Sequence, residues 1–292
     1  MSQPVSPASS VSMSVWAQAR RRFMANRAAV GGLITLLTIA TLSILVPMVW
    51  PHSIDEGSLS NIGQAPSLSD FHWFGTDANG RDLFVRVFFG ARISLAIGLI
   101  ATVIALTIGV IYGATAGYAG GATDLIMMRI VDVLYALPLL FLIIVLVTIL
   151  GNNIFLIFAA IGAVEWLTMA RIVRGQTISI KNREYIEAAR AIDLPTAKII
   201  RRYIIPNAIG PVIVYATLLI PINIIVESSL SFLGLGVQEP LTSWGLLINQ
   251  GASQLDSAPW VLGFPATLLA VTMLSFNFVG DGLRDALDPR QR

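Results

Sequence analysis

Long uncharged apolar runs alternate with shorter polar blocks along the chain, and this alternation predicts its elements. Residues 28–50 form an uncharged run of 23, where about 20 apolar residues suffice to cross hydrocarbon. A secretory signal is the competing reading, but the apolar core is too long and no small-residue cleavage site is evident. Residues 29–50 are therefore expected to be a retained first transmembrane helix. Residues 51–90 are polar, with Pro51, Pro66 and several glycines. From Ile93 to Thr123 no charge occurs over 31 residues, which predicts a long span at about 93–117. Its Gly98, Gly109, Gly113 and Gly117 favour close helix contact inside a membrane. Residues 118–123 read as a short turn, and further spans are expected at about 125–150, 154–172, 209–229 and 260–280. Gly151-Asn152-Asn153 reads as the turn between the third and fourth. Pro138, Pro211, Pro221 and Pro265 fall within spans and are candidate kinks. The fold class is an all-α polytopic membrane protein with six transmembrane helices.

Composition agrees. Of 292 residues 55% are hydrophobic and 12% charged, with a mean hydropathy of +0.75; the charge is about half that of an ordinary soluble domain. There are no cysteines, which excludes disulfides and thiolate metal sites. With only His52 and His72, no histidine-rich metal or catalytic centre is expected, and no metal site or catalytic residue is assigned. A pI near 9.1 raises the question of nucleic acid, but the basic residues prove to be sorted by membrane side. Residues 1–19 are Ser-rich and uncharged, and read as a mobile leader ahead of Arg20, Arg21, Arg22 and Arg27. With 1–28 and 282–292 on one side, that side holds four basic residues in the leader, Arg129, eight from Arg171 to Arg202, and three in the tail. These are 16 of the 19 lysines and arginines. Only Arg81, Arg86 and Arg92 fall opposite. The positive-inside rule then makes both termini cytoplasmic, and residues 51–90 and 230–259 external.

The substantial polar block between spans is 184–207, cytoplasmic on this layout. Residues 184–192 are good helix formers, and Asp193-Leu194-Pro195 interrupts them with an N-cap residue and a helix-starting proline. Two short helices with a sharp bend are expected. In the second, Ile199, Ile200, Tyr203 and Ile204 share a face, while Lys198, Arg201 and Arg202 fall elsewhere.

Glu187-Ala188-Ala189, followed by Ile204-Ile205-Pro206-Asn207, resembles the EAA loop of ABC importer permeases. The family pattern places glycine where this chain has Asp193; aspartate is among the few other residues that tolerate a left-handed bend. Phe74-Gly75-Thr76-Asp77 and Gly80-Arg81-Asp82, continuing to Gly90-Ala91-Arg92-Ile93-Ser94-Leu95, resemble the sequence that precedes the permease core in dipeptide and oligopeptide importers. Read by itself, this stretch is an Asp/Asn/Gly turn followed by an amphipathic interfacial helix. The likeness extends over almost all of residues 16–292, including Ala17–Phe23 and Gly280–Pro289, and is greatest to the C-type permeases of oligopeptide importers.

The resemblance implies a type I ABC importer permease fold, with a core over 91–281, in the bacterial cytoplasmic (inner) membrane. It implies that Glu184, Tyr185, Glu187, Ala188, Ala189, Asp193, Pro206 and Asn207 couple to an ATPase. The chain lacks a G-x-x-x-x-G-K-[ST] phosphate loop, so ATP and Mg²⁺ belong to two separate ATPase subunits and this chain carries no cofactor. A second permease, as a different chain or another copy, would supply the other half of the path. An extracytoplasmic peptide-binding protein would face the re-entrant segment 230–259, with Gln238, Glu239 and Trp244 as contacts. Apolar residues mixed with Gly and Pro, in a stretch too short to cross twice, suit such a segment. Dipeptides, oligopeptides, nickel and other small solutes remain open as cargo.

Ionisable groups at membrane depth each need a reason. Arg129 and Asp132 are three apart and can pair with each other. Glu165, beside Trp166, is a candidate for a water-filled path or a partner subunit, and Glu227 for a peptide amino group or headgroup water. Two other classes fit the residues less well. An intramembrane aspartyl protease would need Asp132 opposite Asp281, and no G-x-G-D is present; an ion-coupled secondary transporter would be expected to show paired internal repeats, and none is evident.

Overall fold

The computed structural model describes residues 15–150 and 153–287, and its regular elements are all helices. Helix α1 (Val15–Ala25) precedes α2 (Arg27–Val49), which starts where the Asn26 side chain accepts from the backbone N–H groups of Ala28 and Ala29 at 3.1 Å. The leader expected at 1–28 is thus helical from Val15, and α1 packs on the last helix of the chain. The rest of that leader, residues 1–14, lies outside the described residues.

Helix α3 (Leu83–Ala119) is the central column. It begins ten residues before the expected span, because Asp82 caps it: its Oδ1 accepts from Val85 N at 2.9 Å. The expected external segment 51–90 therefore ends at Asp82. Leu83 to Phe88 are buried without exception, so the helix after the turn starts in the protein interior and is not an amphipathic interfacial one. The small residues do what their spacing predicts. Gly98 lies against Ile220 and Ile224; Gly109, Gly113 and Gly117 lie against Met169, Ala170 and Thr177 of one neighbour. At Gly113 even a methyl group would collide with the Ala170 carbonyl.

Gly120 and Gly121, at φ of 67° and 54°, turn the chain into α4 (Gly121–Tyr135), which leaves no room for the longer turn expected at 118–123. Between α4 and α5 (Leu139–Leu150) the path bends by 83°. The single span expected at 125–150 is therefore broken, at Pro138, where the missing N–H and the restricted preceding residue stop the helix. Pro211, Pro221 and Pro265 sit inside continuous helices instead. Asp132 does not pair with Arg129. It accepts from Arg171 Nη2 at 2.8 Å, and Arg174 grips Asp124 with two bonds of 2.6 and 2.7 Å. Both pairs cross from α4 to α6 (Ile154–Ile180), because the two helices lie side by side and a partner across the gap is better placed than one on the same helix. Asn153 caps α6 by accepting from Phe155 N; Gly151 and Asn152 lie outside the described residues.

Then come α7 (Glu184–Ala191), α8 (Thr196–Ile199), a π-helical turn at Ile200–Ile204, α9 (Ile205–Phe232), α10 (Trp244–Ala252) and α11 (Pro259–Leu287). The expected tail at 282–292 is helical to Leu287, and its remainder lies outside the described residues. Among the described residues, four helices and the continuous Thr196–Phe232 run, five stretches in all, are long and apolar enough to cross a membrane, or six if α4 and α5 count as one broken span.

Candidate functional site

Two polar regions sit at opposite ends of α3. The first is an elbow beside Ala119. Helix α7 carries Glu184 and Glu187 in its first turn, where carboxylates complement the partial positive charge of the helix start. Ile186 and Ala189 are buried in one cluster with Val173 of α6, Ile199, Ile204 and Ala208, whereas Glu184, Tyr185, Glu187 and Ala188 face out. Arg190 Nε donates to Tyr118 Oη at 3.3 Å, tying α7 to the end of α3.

Asp193 then takes φ of 51°, the left-handed position that usually demands glycine. Leu194 N donates to Ala189 O and Asp193 N to Arg190 O, which closes α7 with a Schellman-type cap. Leu194 packs into the same cluster. The expected bend is present, but Asp193 ends the first helix rather than capping the second, for which no side-chain cap bond forms. Nor is the second helix separate. It runs through the π turn into α9, because Ile199, Ile200, Tyr203 and Ile204 keep one face against the cluster. Lys198, Arg201, Arg202, Pro206 and Asn207 are exposed.

At the other end, Asp77 is buried and receives Arg81 of the first loop and Arg86 of α3. Its Oδ2 accepts from Arg81 Nε and Arg86 Nη1 at 2.8 Å, while Oδ1 accepts from the backbone N–H groups of Asn79 and Arg81. Arg81 Nη2 also donates to Glu239 at 2.9 Å, and Gln250 bridges Glu239 and Arg86. The loop before α3 is thereby tied to the segment between α9 and α10.

The family described as binding-protein-dependent transport system inner membrane component matches residues 105–292, and the N-terminal TM domain of oligopeptide transport permease C matches residues 14–66. The chain is 53% identical over 279 residues to the oligopeptide transport system permease protein OppC of Escherichia coli (strain K12), covering 96% of this chain and 92% of that one. It is 52% identical to OppC of Haemophilus influenzae, covering 96% and 90%, and 46% identical to the dipeptide transport system permease protein DppC of Bacillus subtilis (strain 168), covering 96% and 88%. The chain belongs to the binding-protein-dependent transport system inner membrane component family.

Within this permease several expected site residues take other places. Trp244 is completely buried and its Nε1 donates to Val87 O at 3.2 Å, so it anchors α10 against α3 and offers no outward contact. Glu227 is completely buried too. Its carboxylate accepts from Ser94 at 3.0 Å and Ser231 at 2.7 Å, and Ser243 in turn donates to Ser231. Glu227 thus joins α3, α9 and the cap of α10, with no part of it exposed on the surface of this chain. Ala189 faces inward. Gln238 and Glu239 remain exposed at the loop end. Glu165 is buried, and its side chain makes no hydrogen bond among the described residues. The Asp77 network and the serines around Glu227 were not foreseen. The motif from Phe74 to Asp82 marked the right place, but a turn explained its aspartates without any reference to the distant Glu239 and Gln250.

The Arg81 hydrogen bond holds the Glu239 carboxyl below the usual carboxylate range, against the opposing effect of partial burial. A lowered folded value means that this tie contributes fully above the ordinary glutamate pKa of about 4.3 and is lost as pH falls through the lowered value. The hydrogen-exchange protection of residues 233–243, taken relative to the intrinsic rate at each pH, is expected to fall only on such acidification in the wild type. In Glu239→Gln that protection is expected to be reduced at neutral pH as well, and equal protection in the two proteins would contradict the tie.

Proposed function

We propose that this permease forms half of the translocation path of an ATP-driven peptide importer, with the exposed face of α7 as the surface on which a separate ATPase subunit acts. The observation that carries this is the division of α7 into two faces. Glu184, Tyr185, Glu187 and Ala188 are outward, and Ile186 and Ala189 are keyed into α6 and the root of α9. A push on the outer face therefore moves two long apolar helices together. Pro206 and Asn207 extend the outer face beyond the bend, and Asp193 sets its angle.

In the same reading a second permease supplies the other half of the path, two ATPase subunits bind ATP and Mg²⁺, and an extracytoplasmic binding protein delivers peptide at the end bearing Gln238 and Glu239. The elbow and both termini are cytoplasmic, as the distribution of lysine and arginine supports. The names of the relatives, which are oligopeptide and dipeptide permeases, support peptide as cargo. Glu165, whose side chain has no hydrogen-bond partner among the described residues, is assigned to the path or to the second permease, either of which would satisfy a buried carboxyl.

A cysteine at Ala188 tests the docking surface. It is expected to cross-link to the ATPase subunit in inside-out vesicles, whereas a cysteine at the inward-facing Ala189 is not. Modification of position 188 only from the external side would overturn the orientation.

A further inference from the structure

His52, His72 and Asp82 meet beside the start of α3, and neither the elbow nor the Asp77 network uses them. One donor atom from each lies within 4.8 Å of the other two. His72 Nδ1 and Asp82 Oδ2 are 2.8 Å apart, and the two imidazoles stack with centroids 4.3 Å apart. A cavity of about 170 Å³ opens onto all three, with Glu56, Ser58 and Asn61 also in its wall. His72 and Asp82 are buried, whereas His52 stands half-buried at the edge.

We propose that this cluster binds a first-row divalent transition ion of the zinc class. Two imidazole nitrogens and one carboxylate oxygen form a borderline-soft donor set that suits Zn²⁺, Co²⁺ or Ni²⁺; Mg²⁺ and Ca²⁺ take shells of oxygen alone. Asp82 is already oriented for the role. Its Oδ1 is held by Val85 N at the cap of α3, which leaves Oδ2 turned to His72. Binding exchanges the His72–Asp82 hydrogen bond for two metal bonds. The two rings now lie stacked, so His52 must tilt to bring a ring nitrogen towards a shared ion, and its one hydrogen-bond contact among the described residues is to Asp70 O at 3.2 Å. Glu56 or a water completes four-coordination. The ion would connect three points: just past α2, the middle of the loop, and the cap of α3. It would thus close the segment 52–82 that also contains Asp77.

The two histidines are twenty residues apart in the chain and match no metal-ligand spacing, which is why the sequence offered no such site. Folding brings them together because Ser67 and His72 form a bridge, as do Thr76 and Asp82, and these bends return the loop towards the end of α2.

The experiment is calorimetric titration of ZnCl₂ into the complete importer in lipid nanodiscs after treatment with chelator, alongside MgCl₂. One saturable equivalent of Zn²⁺ per copy of this chain is expected, with no matching Mg²⁺ signal. His52→Ala is expected to weaken that equivalent at least about tenfold, the scale for disturbing even an outer partner of a metal ligand. Asp82→Asn is expected to do the same while keeping α3 capped, since asparagine caps as well as aspartate. Zinc bound by other subunits would persist in both variants, so the site is read as the equivalent they lose. Wild-type-like melting of the zinc-free variants shows that each is folded. Absence of saturable zinc binding in the wild type, or an unchanged titration in either folded variant, overturns the proposal.

Discussion

Glu187→Lys is expected to reduce peptide uptake to background while the amount of permease in the membrane stays at the wild-type level. Glu187 is exposed in the first turn of α7, and its side chain makes no hydrogen bond or ion pair among the described residues. A lysine there places a cation at the positive end of the helix, which costs roughly 0.3–1 kcal/mol. That is too little to unfold a helix whose Ile186 and Ala189 are buried in a shared core. The reversed charge instead falls on the surface assigned to the ATPase, where like charges facing each other cost several kcal/mol. Uptake of labelled peptide, immunoblots of the membrane fraction and peptide-stimulated ATP hydrolysis separate the two effects. Normal uptake by this variant would count heavily against the docking role; lost uptake with lost protein would make the residue structural.

Asp77→Ala is expected to give the largest loss of stability, about 3–5 kcal/mol, the range for removing one partner of a buried ion pair. Asp77 and Arg86 are each only 1% exposed. Without the carboxylate, Arg86 keeps a 3.3 Å bond to Gln250 and a 3.7 Å approach to Glu239, too weak to offset a buried guanidinium. The loop also loses the two backbone hydrogen bonds that shape its turn. Thermal melting of the purified complex, with the membrane abundance of the chain, measures the effect. Glu239→Gln is the control: it touches the same arginines from a half-exposed position, so its effect should be within about 1 kcal/mol. A melting curve for Asp77→Ala no lower than that of Glu239→Gln would contradict the central place given to Asp77.

At the elbow, much was legible locally. Good helix formers followed by Asp193-Leu194-Pro195 predicted a helix and a bend, and aspartate is a residue that tolerates left-handed backbone. Its role as the end of α7 was not legible, because an N-cap and a residue just past a C-cap both favour the same small polar side chains. What separates them here is the pair of bonds returned to Ala189 and Arg190. Likewise the Glu-Ala-Ala triplet identified the surface, but only the packing of α7 divided its two alanines into an outward Ala188 and an inward Ala189.

Amino-acid order by itself determined the membrane class, the presence of long apolar helices, the close packing along the glycines of α3, the family likeness and the bend at the elbow. All of these depend on hydropathy, side-chain size or spacing within one segment, quantities that need no distant partner. Tertiary structure alone decided that Trp244 and Glu227 are interior, that Asp132 belongs to Arg171, that Asp77 gathers two arginines and ties them to Glu239, and that His52 meets His72. Burial and pairing of these groups depend on which helices and loops become neighbours, and for an ionisable side chain the deciding term is desolvation by residues that can lie more than a hundred positions away.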